Sequence, residues 1–441
     1  MLTFFLGGGA RSDIQSLAIL RPIAVLVGVG ALFTLSRQNL RDYRALLILV
    51  GAAIAIVAIQ LVPLPPGLWR HLGGHDVVVE IDAALGLDGV WRPITMVPDA
   101  TFNALAALFV PAATLLLAIQ LSPEERQRLL PLLVVLGLIS GFLGLLQVVG
   151  PQQGPLYFYR ITNHGSAVGL FSNRNHAAIF LATLFPMLAV LASHATGTEQ
   201  RARFLRASTL IVGTVMVPLM LVTGSRAGLV VGAIGLASVF LLFRAPAKSA
   251  GGSRRKVARL PLLVIAGGAA LALVTVLFSR AEALQRLLSA GQNGDLRFRV
   301  WGPILDLSWK YFPFGSGVGS FAEVYQIYEQ DGLLATRYLN HAHNDWLETL
   351  LTGGLPAIGL AVAAVLVCGV RSFAVWRQPA RSRTRDLARM SSVILLLLIL
   401  SSLADYPLRV PSLASLSIIA AVLLFAKPGK AGDSSKNNAG S

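Results

Sequence analysis

About eleven apolar stretches, each near the length of a bilayer crossing, alternate along this chain with short loops, and arginine and lysine crowd every second loop. Eighteen or more nearly uncharged residues suffice for a spanning helix. Residues 104–121, 129–150, 227–243 and 260–278 meet or approach that length. A soluble core could not hide the apolar surface of 441 residues that are 55% hydrophobic and 13% charged. The sequence therefore predicts an all-α, polytopic transmembrane helical bundle of about 11–12 spans.

The net charge of +16 would suit a nucleic-acid partner if it lay on one soluble face, but it sits in the loops between spans, so no nucleic acid is expected. The basic loops hold Arg37, Arg41 and Arg44; Arg126 and Arg128; Arg201, Arg203 and Arg206; Arg244 to Arg259; and Arg371 to Arg389. The positive-inside rule makes these cytoplasmic. It puts outside the loop after Pro63, the loop around Asn163, the Ser225 turn, residues 279–354 and the Asp405 turn. Four parts follow: an N-terminal bundle of eight spans over 1–279, a large periplasmic loop with short helices over 280–354, C-terminal spans over 355–426, and a disordered cytoplasmic tail over 427–441. Eleven spans leave the N-terminus outside, and Met1 to Gly9 reads as the stub of a further span. Arg11, Asp13 and Arg21 interrupt the first apolar stretch and argue against a cleavable signal peptide. The single cysteine, Cys368, forms no intramolecular disulfide.

The spans hold almost no Asp or Glu in their central portions, whereas carriers place ionisable groups near the midplane. A transporter or flippase of polysaccharide intermediates is the rival reading, disfavoured on that ground. Polar residues gather instead in four external clusters. The first joins Arg160 and His164 to Asn173, Arg174, Asn175 and His176 at the mouth of a span, a set of donors for sugar hydroxyls or phosphate, or a headgroup collar. The second, Thr223-Gly224-Ser225-Arg226-Ala227-Gly228, puts Arg226 at an external helix N-terminus. Free N–H groups and the helix dipole favour an anion there; the bland alternative is an arginine snorkelling to lipid phosphates.

The third cluster sets Arg297, Arg299 and Trp301 on a short amphipathic helix ahead of Gly315, Gly317 and Gly319, whose turn brings backbone close to a ligand. A helix lying on the membrane surface fits equally well. The fourth is His341-Ala342-His343-Asn344-Asp345-Trp346-Leu347-Glu348. Two histidines and an aspartate invite a metal, but three or four converging ligands are needed and no second His-rich element is near in sequence. A histidine base, with Asp345 or Glu348 orienting it, needs less.

Together, GLFSNRNHAA before a span, TGSRAG between two spans, an arginine four residues before a tryptophan with PFGSGVGSF behind it, and HAHNDWLETLLTGG before another span resemble the O-antigen ligase and O-antigen polymerase superfamily. The stretch from Trp91 to Thr95 and on to Thr101 is similar to one found upstream in such proteins. The ligase histidine motif is matched at His343, Asn344 and Gly354 and departs at Ala357, where ligases carry Gly, Thr or Tyr.

The resemblance implies an inverting, metal-independent, GT-C-like glycan transferase without cofactor, in the bacterial inner membrane and facing the periplasm. Its partners would be an undecaprenyl-diphosphate-linked glycan donor, a lipid A core or growing glycan acceptor, and membrane lipids. Ligase, surface-polysaccharide polymerase and protein O-glycosylation remain open as versions of it. The catalytic residues expected are His343 as general base with Arg226 and Arg297 as diphosphate clamps. Arg299, Arg174, Arg160, Asn173, Asn175, His341 and Asn344 are expected to bind substrate.

Overall fold

A computed structural model of the chain describes residues 1–244, 296–334, 338–379 and 382–427, with side chains of the second segment described from Phe298 onward. Sixteen α-helices lie among the described residues, and no strand. They are α1 (Leu2–Leu6), α2 (Gln15–Phe33), α3 (Arg37–Asp42), α4 (Arg44–Gln60), α5 (Pro66–Trp69), α6 (Asp76–Ala84), α7 (Pro98–Ala118), α8 (Pro123–Val149), α9 (Arg174–Ser193), α10 (Glu199–Val222), α11 (Arg226–Leu242), α12 (Leu296–Lys310), α13 (Phe321–Ile327), α14 (Asp345–Arg377), α15 (Arg383–Ser401) and α16 (Pro411–Phe425).

Among the described residues α2, α7, α8, α9, α10 and α14 are long and apolar enough to cross a membrane, and α4, α11 and α16 are shorter apolar helices. The protein is thus a multi-pass helical bundle. The stretches 104–121, 129–150 and 227–243 fall in α7, α8 and α11; the stretch 260–278 and the tail from 428 lie outside the described residues. Helix α8 starts earlier than hydropathy suggests because Ser122 and Glu125 close a capping box ahead of Pro123, satisfying N–H groups that the first turn leaves open.

The hub is α9. Its apolar window is 89% buried, against 22% for α7 and α14, as expected for a helix that is apolar all round. Phe180, Phe185 and Met187 pack into one core with Leu133 of α8, Met216 of α10, Val231 of α11, Ile394 of α15 and Leu416 of α16. Glycines let α11 come close: a Cβ on Gly228 would stand 2.3 Å from Ala178 Cβ, and one on Gly235 2.7 Å from the Ala182 carbonyl. The α1 segment plugs into the same core, with Phe4 against Phe180 at 5.1 Å. The Gly8 N–H donates to the Tyr159 hydroxyl at 2.9 Å, and the Gly8 carbonyl accepts from the Ser172 N–H at 3.0 Å, seating the loop that leads into α9.

A smaller core covers one end of the bundle. Val300, Ile304 and Leu307 form the apolar stripe of α12 and pack with Tyr311 just past its end, with Phe321, Val324 and Tyr325 of α13, and with Ala342 and Leu351 around the histidine motif. The amphipathic helix expected at Trp301 is therefore present, and its apolar face meets protein. Gly315, Gly317 and Gly319 do bring backbone close, but to the chain itself: added Cβ atoms would meet Thr352, Thr95 and Ala100 at 2.6, 2.0 and 2.5 Å. This corrects the reading of that turn as a ligand cradle. Gln60 locks it, donating to the carbonyls of Phe314 (3.1 Å) and Thr352 (3.0 Å) and accepting from the Val318 N–H (2.9 Å).

Helix α14 is broken at Gly354, with φ 61° and ψ −156°. A Cβ there would lie 2.2 Å from the Pro313 carbonyl oxygen. Gly354→Ala is expected to combine that clash with the cost of a backbone conformation reached essentially by glycine alone, on the order of 1–3 kcal/mol. Loss of monodisperse protein on size exclusion in detergent is the expected result, with Gly359→Ala, which meets nothing within 4 Å, as the silent control.

Candidate active site

The starts of α9, α11 and α14 converge with the turn between α15 and α16, and each start is capped by its own side chain. Asn173 accepts from the Asn175 N–H at 2.9 Å, Ser225 from the Gly228 N–H at 2.9 Å, and Asn344 from the N–H groups of Trp346 and Leu347 at 3.0 and 3.2 Å. Asn173 and Asn344, expected to bind substrate, thus have a structural task as N-caps.

At the centre lies Asp405, 0% exposed. Its Oδ1 is 3.0 Å from His343 Nδ1 and accepts the Tyr406 N–H at 3.1 Å; its Oδ2 accepts Asn175 Nδ2 at 2.6 Å. Asn175 Oδ1 in turn accepts the Ser225 hydroxyl at 2.8 Å. One hydrogen-bonded chain therefore ties the first, second and fourth sequence clusters to the Asp405 turn. A carboxylate facing Nδ1 makes that nitrogen the donor and leaves Nε2 of His343 as the basic nitrogen. His343 also takes a positive φ of 49°, a conformation uncommon outside glycine that concentrates at functional sites.

Beside this pair, His341 Nδ1 is 2.9 Å from Glu348 Oε1, and Glu348 Oε2 accepts the Ala342 N–H at 2.9 Å. Arg409 Nε lies 3.2 Å from both Glu348 Oε1 and Asp345 Oδ1, and Asp345 Oδ2 accepts the Ser402 hydroxyl at 2.9 Å. The Tyr406 ring fills the space between the histidines, 4.2 Å from the His341 ring, 4.9 Å from His176 and 5.1 Å from His343. Burial, with Asp405 adjacent, pushes the Tyr406 hydroxyl well above its ordinary range, so it stays protonated. Glu348 orients His341, as the sequence allowed. His343 is oriented by Asp405 rather than by Asp345 or Glu348.

Removing Glu348 would take from His341 its carboxylate partner and from Arg409 one of its two. Glu348, 1% exposed, belongs to the class of buried charges whose deletion costs about 3–5 kcal/mol. Glu348→Ala is expected to lower the thermal midpoint of the detergent-solubilised protein by several degrees; an unchanged midpoint would refute a structural role for this network.

Arg174 and Arg226 are the first helical residues of α9 and α11. The Asn175–Ser225 bond holds those two helix starts together, so both guanidinium groups belong to the same polar end as Asp405. Arg226 is exposed and Arg174 half-buried. The other expected arginines sit elsewhere or are not described. Arg160 is exposed and pairs with Asp13 at 2.9 Å. Arg299 is exposed and donates to the Gly332 carbonyl at 3.4 Å. Arg297 lies in the first turn of α12, and its side chain is outside the described residues.

Asp405, Tyr406 and Arg409 were not among the residues singled out from the sequence. The signal was present: an acid, a tyrosine and an arginine in a tight turn between two apolar spans on the same side as Arg226.

A family model described as O-antigen ligase matches residues 211–362, a stretch that includes the Arg226, Arg297 and His343 motifs. No curated protein matches the chain. The class defined by the fold is a multi-pass helical membrane protein with a polar site at the ends of its spans. Over residues 211–362 the chain is similar to the O-antigen ligase family.

Proposed function

We propose that this protein is a glycan transferase that moves a saccharide from an undecaprenyl-diphosphate carrier to a glycan hydroxyl at the periplasmic face of the inner membrane. The observation that supports it most is the His343–Asp405 pair standing among the starts of α9, α11 and α14. In this reading Nε2 of His343 takes the proton from the acceptor hydroxyl as its oxygen bonds to the anomeric carbon. The bond from that carbon to the diphosphate oxygen breaks, and inversion follows from attack opposite the leaving group. The departing diphosphate gains negative charge as the bond breaks. Arg226 and Arg174, at helix starts whose dipoles favour anions, and Arg297 are the groups assigned to receive it.

The test is a gel profile of surface and lipid-linked glycans from a deletion strain complemented with wild type or variants. Accumulated single repeats on the carrier mark a polymerase. Long chains stranded on the carrier mark a ligase, and unmodified protein acceptors mark an O-glycosylating enzyme. An unchanged profile would overturn the transferase reading.

A further inference from the structure

Helix α12 is apolar on two faces. Val300, Ile304 and Leu307 turn one of them into the small core. On the other, Phe298, Leu305 and Trp309 stand at i, i+7 and i+11, the spacing of a single helical stripe, and all three are exposed. Phe312, two residues past the helix end, extends the stripe: it is exposed, and its ring lies 5.4 Å from that of Trp309. Phe314, exposed as well, follows. Asp306 and Lys310 come one residue after Leu305 and Trp309, hence about 100° round the helix, and they too are exposed. Single apolar residues on a surface are ordinary, but a continuous aromatic stripe marks a contact.

What covers the stripe follows from where it ends. The Leu355 N–H donates to the Pro313 carbonyl at 2.8 Å and ties the chain just past α12 to α14. From Leu355, the exposed residues Val362, Leu366, Val370 and Phe373 continue along one face of α14, as the lipid-facing stripe of a candidate span does. Eighteen residues separate Leu355 from Phe373. At 1.5 Å per residue that is about 27 Å, close to the ~30 Å hydrocarbon core of a bilayer. The stripe ends at one boundary with Phe373, whose ring lies 5.0 Å from the Arg377 guanidinium, so Leu355 stands at the other. That is the end of α14 next to the histidine motif. Phe312 and Phe314 flank Pro313 and therefore reach the depth where aromatic side chains gather at the membrane–water interface.

We propose that this face of α12 docks on the bilayer, its partner being the headgroup–acyl boundary of the leaflet at the site's end of the bundle, as for an interfacial amphipathic helix. Phe298, Leu305, Trp309 and Phe312 enter the boundary, and Asp306 and Lys310 stay in water. Continuity with the lipid-facing stripe of α14 favours lipid over a second copy of the chain. The opposite face of α12 packs on Ala342 and Leu351, so docking fixes the histidine motif at headgroup depth. The inference does not depend on the transferase reading.

The test uses the full-length protein with Cys368→Ala, reconstituted in vesicles of phosphatidylethanolamine and phosphatidylglycerol, with a nitroxide on one introduced cysteine at a time. Electron paramagnetic resonance reads its collisions with oxygen, which concentrates in lipid, and with a water-soluble nickel chelate. Phe298→Cys, Leu305→Cys, Trp309→Cys and Phe312→Cys are expected to favour oxygen, and Asp306→Cys and Lys310→Cys the chelate. Quenching by brominated lipid, compared between the unlabelled protein and Trp309→Phe, reads the same depth if a labelled variant fails to fold. Chelate access at Trp309 or Phe312 would overturn the proposal. So would shielding from both reagents, which would mean that protein and not lipid covers the face. No step needs turnover, so failure of the transferase reading would leave the result standing.

Discussion

His343→Ala is expected to lower glycan transfer by roughly 10²- to 10⁴-fold, the usual contribution of a positioned acid or base, while the protein is inserted and purified at wild-type yield. Insertion should survive because the His343 ring is partly exposed and its contacts are polar and aromatic, with Asp405 and the Tyr406 ring. Asp405→Asn should approach the same loss by another route. The amide cannot hold Nδ1 as a donor with the strength of a carboxylate, so the fraction of His343 with a basic Nε2 falls. Asn is close to Asp in size and can still accept the Tyr406 N–H, which separates a positioning role from plain unfolding. The double variant should be little worse than His343→Ala, since residues that act as one unit lose their effect only once. Multiplicative losses, or near-normal product from His343→Ala, would remove this pair from the mechanism. A shifted pH–rate profile in Asp405→Asn, absent in a merely loosened protein, is the second readout.

Much of this arrangement was legible in the chain before any coordinates. Hydropathy located α7, α8 and α11, because a span must satisfy its own backbone and reads as a continuous apolar run. The Ser225 turn was legible because only three residues separate α10 from α11. What the sequence did not reveal is which of the polar residues at the span ends meet. Asp405 is 62 residues from His343 and 230 from Asn175 along the chain, and no local spacing links them. The role of Gly315, Gly317 and Gly319 was misread for a related reason. A glycine marks close approach of something to the backbone, and only the fold decides whether that is a ligand or Thr352, Thr95 and Ala100. Arg160 illustrates the same limit, since its ion pair with Asp13 spans 147 residues.

Arg226→Ala carries the second large expected effect, a fall of roughly 10²- to 10³-fold in the rate of transfer, comparable to removal of one donor from a preorganised anion site. The substitution should fold, because Arg226 is exposed and the cap that starts α11 is the Ser225 side chain. Arg226→Lys then separates charge from geometry. Lysine keeps the positive charge but presents a single ammonium in place of the planar fork that pairs two phosphate oxygens at once. If bidentate pairing develops as the carbon–oxygen bond breaks, Arg226→Lys should lose much of the rate with little change in KM; if Arg226 only gathers the donor by charge, lysine should restore activity nearly in full. Arg174→Ala, at the neighbouring helix start, is expected to raise KM more than it lowers kcat, because its half-buried guanidinium is the better placed of the two for holding the donor at rest. Equal and small effects from both alanine variants would mean that the helix starts, and not their arginines, carry the anion, and would shift the search for the diphosphate clamp to Arg297.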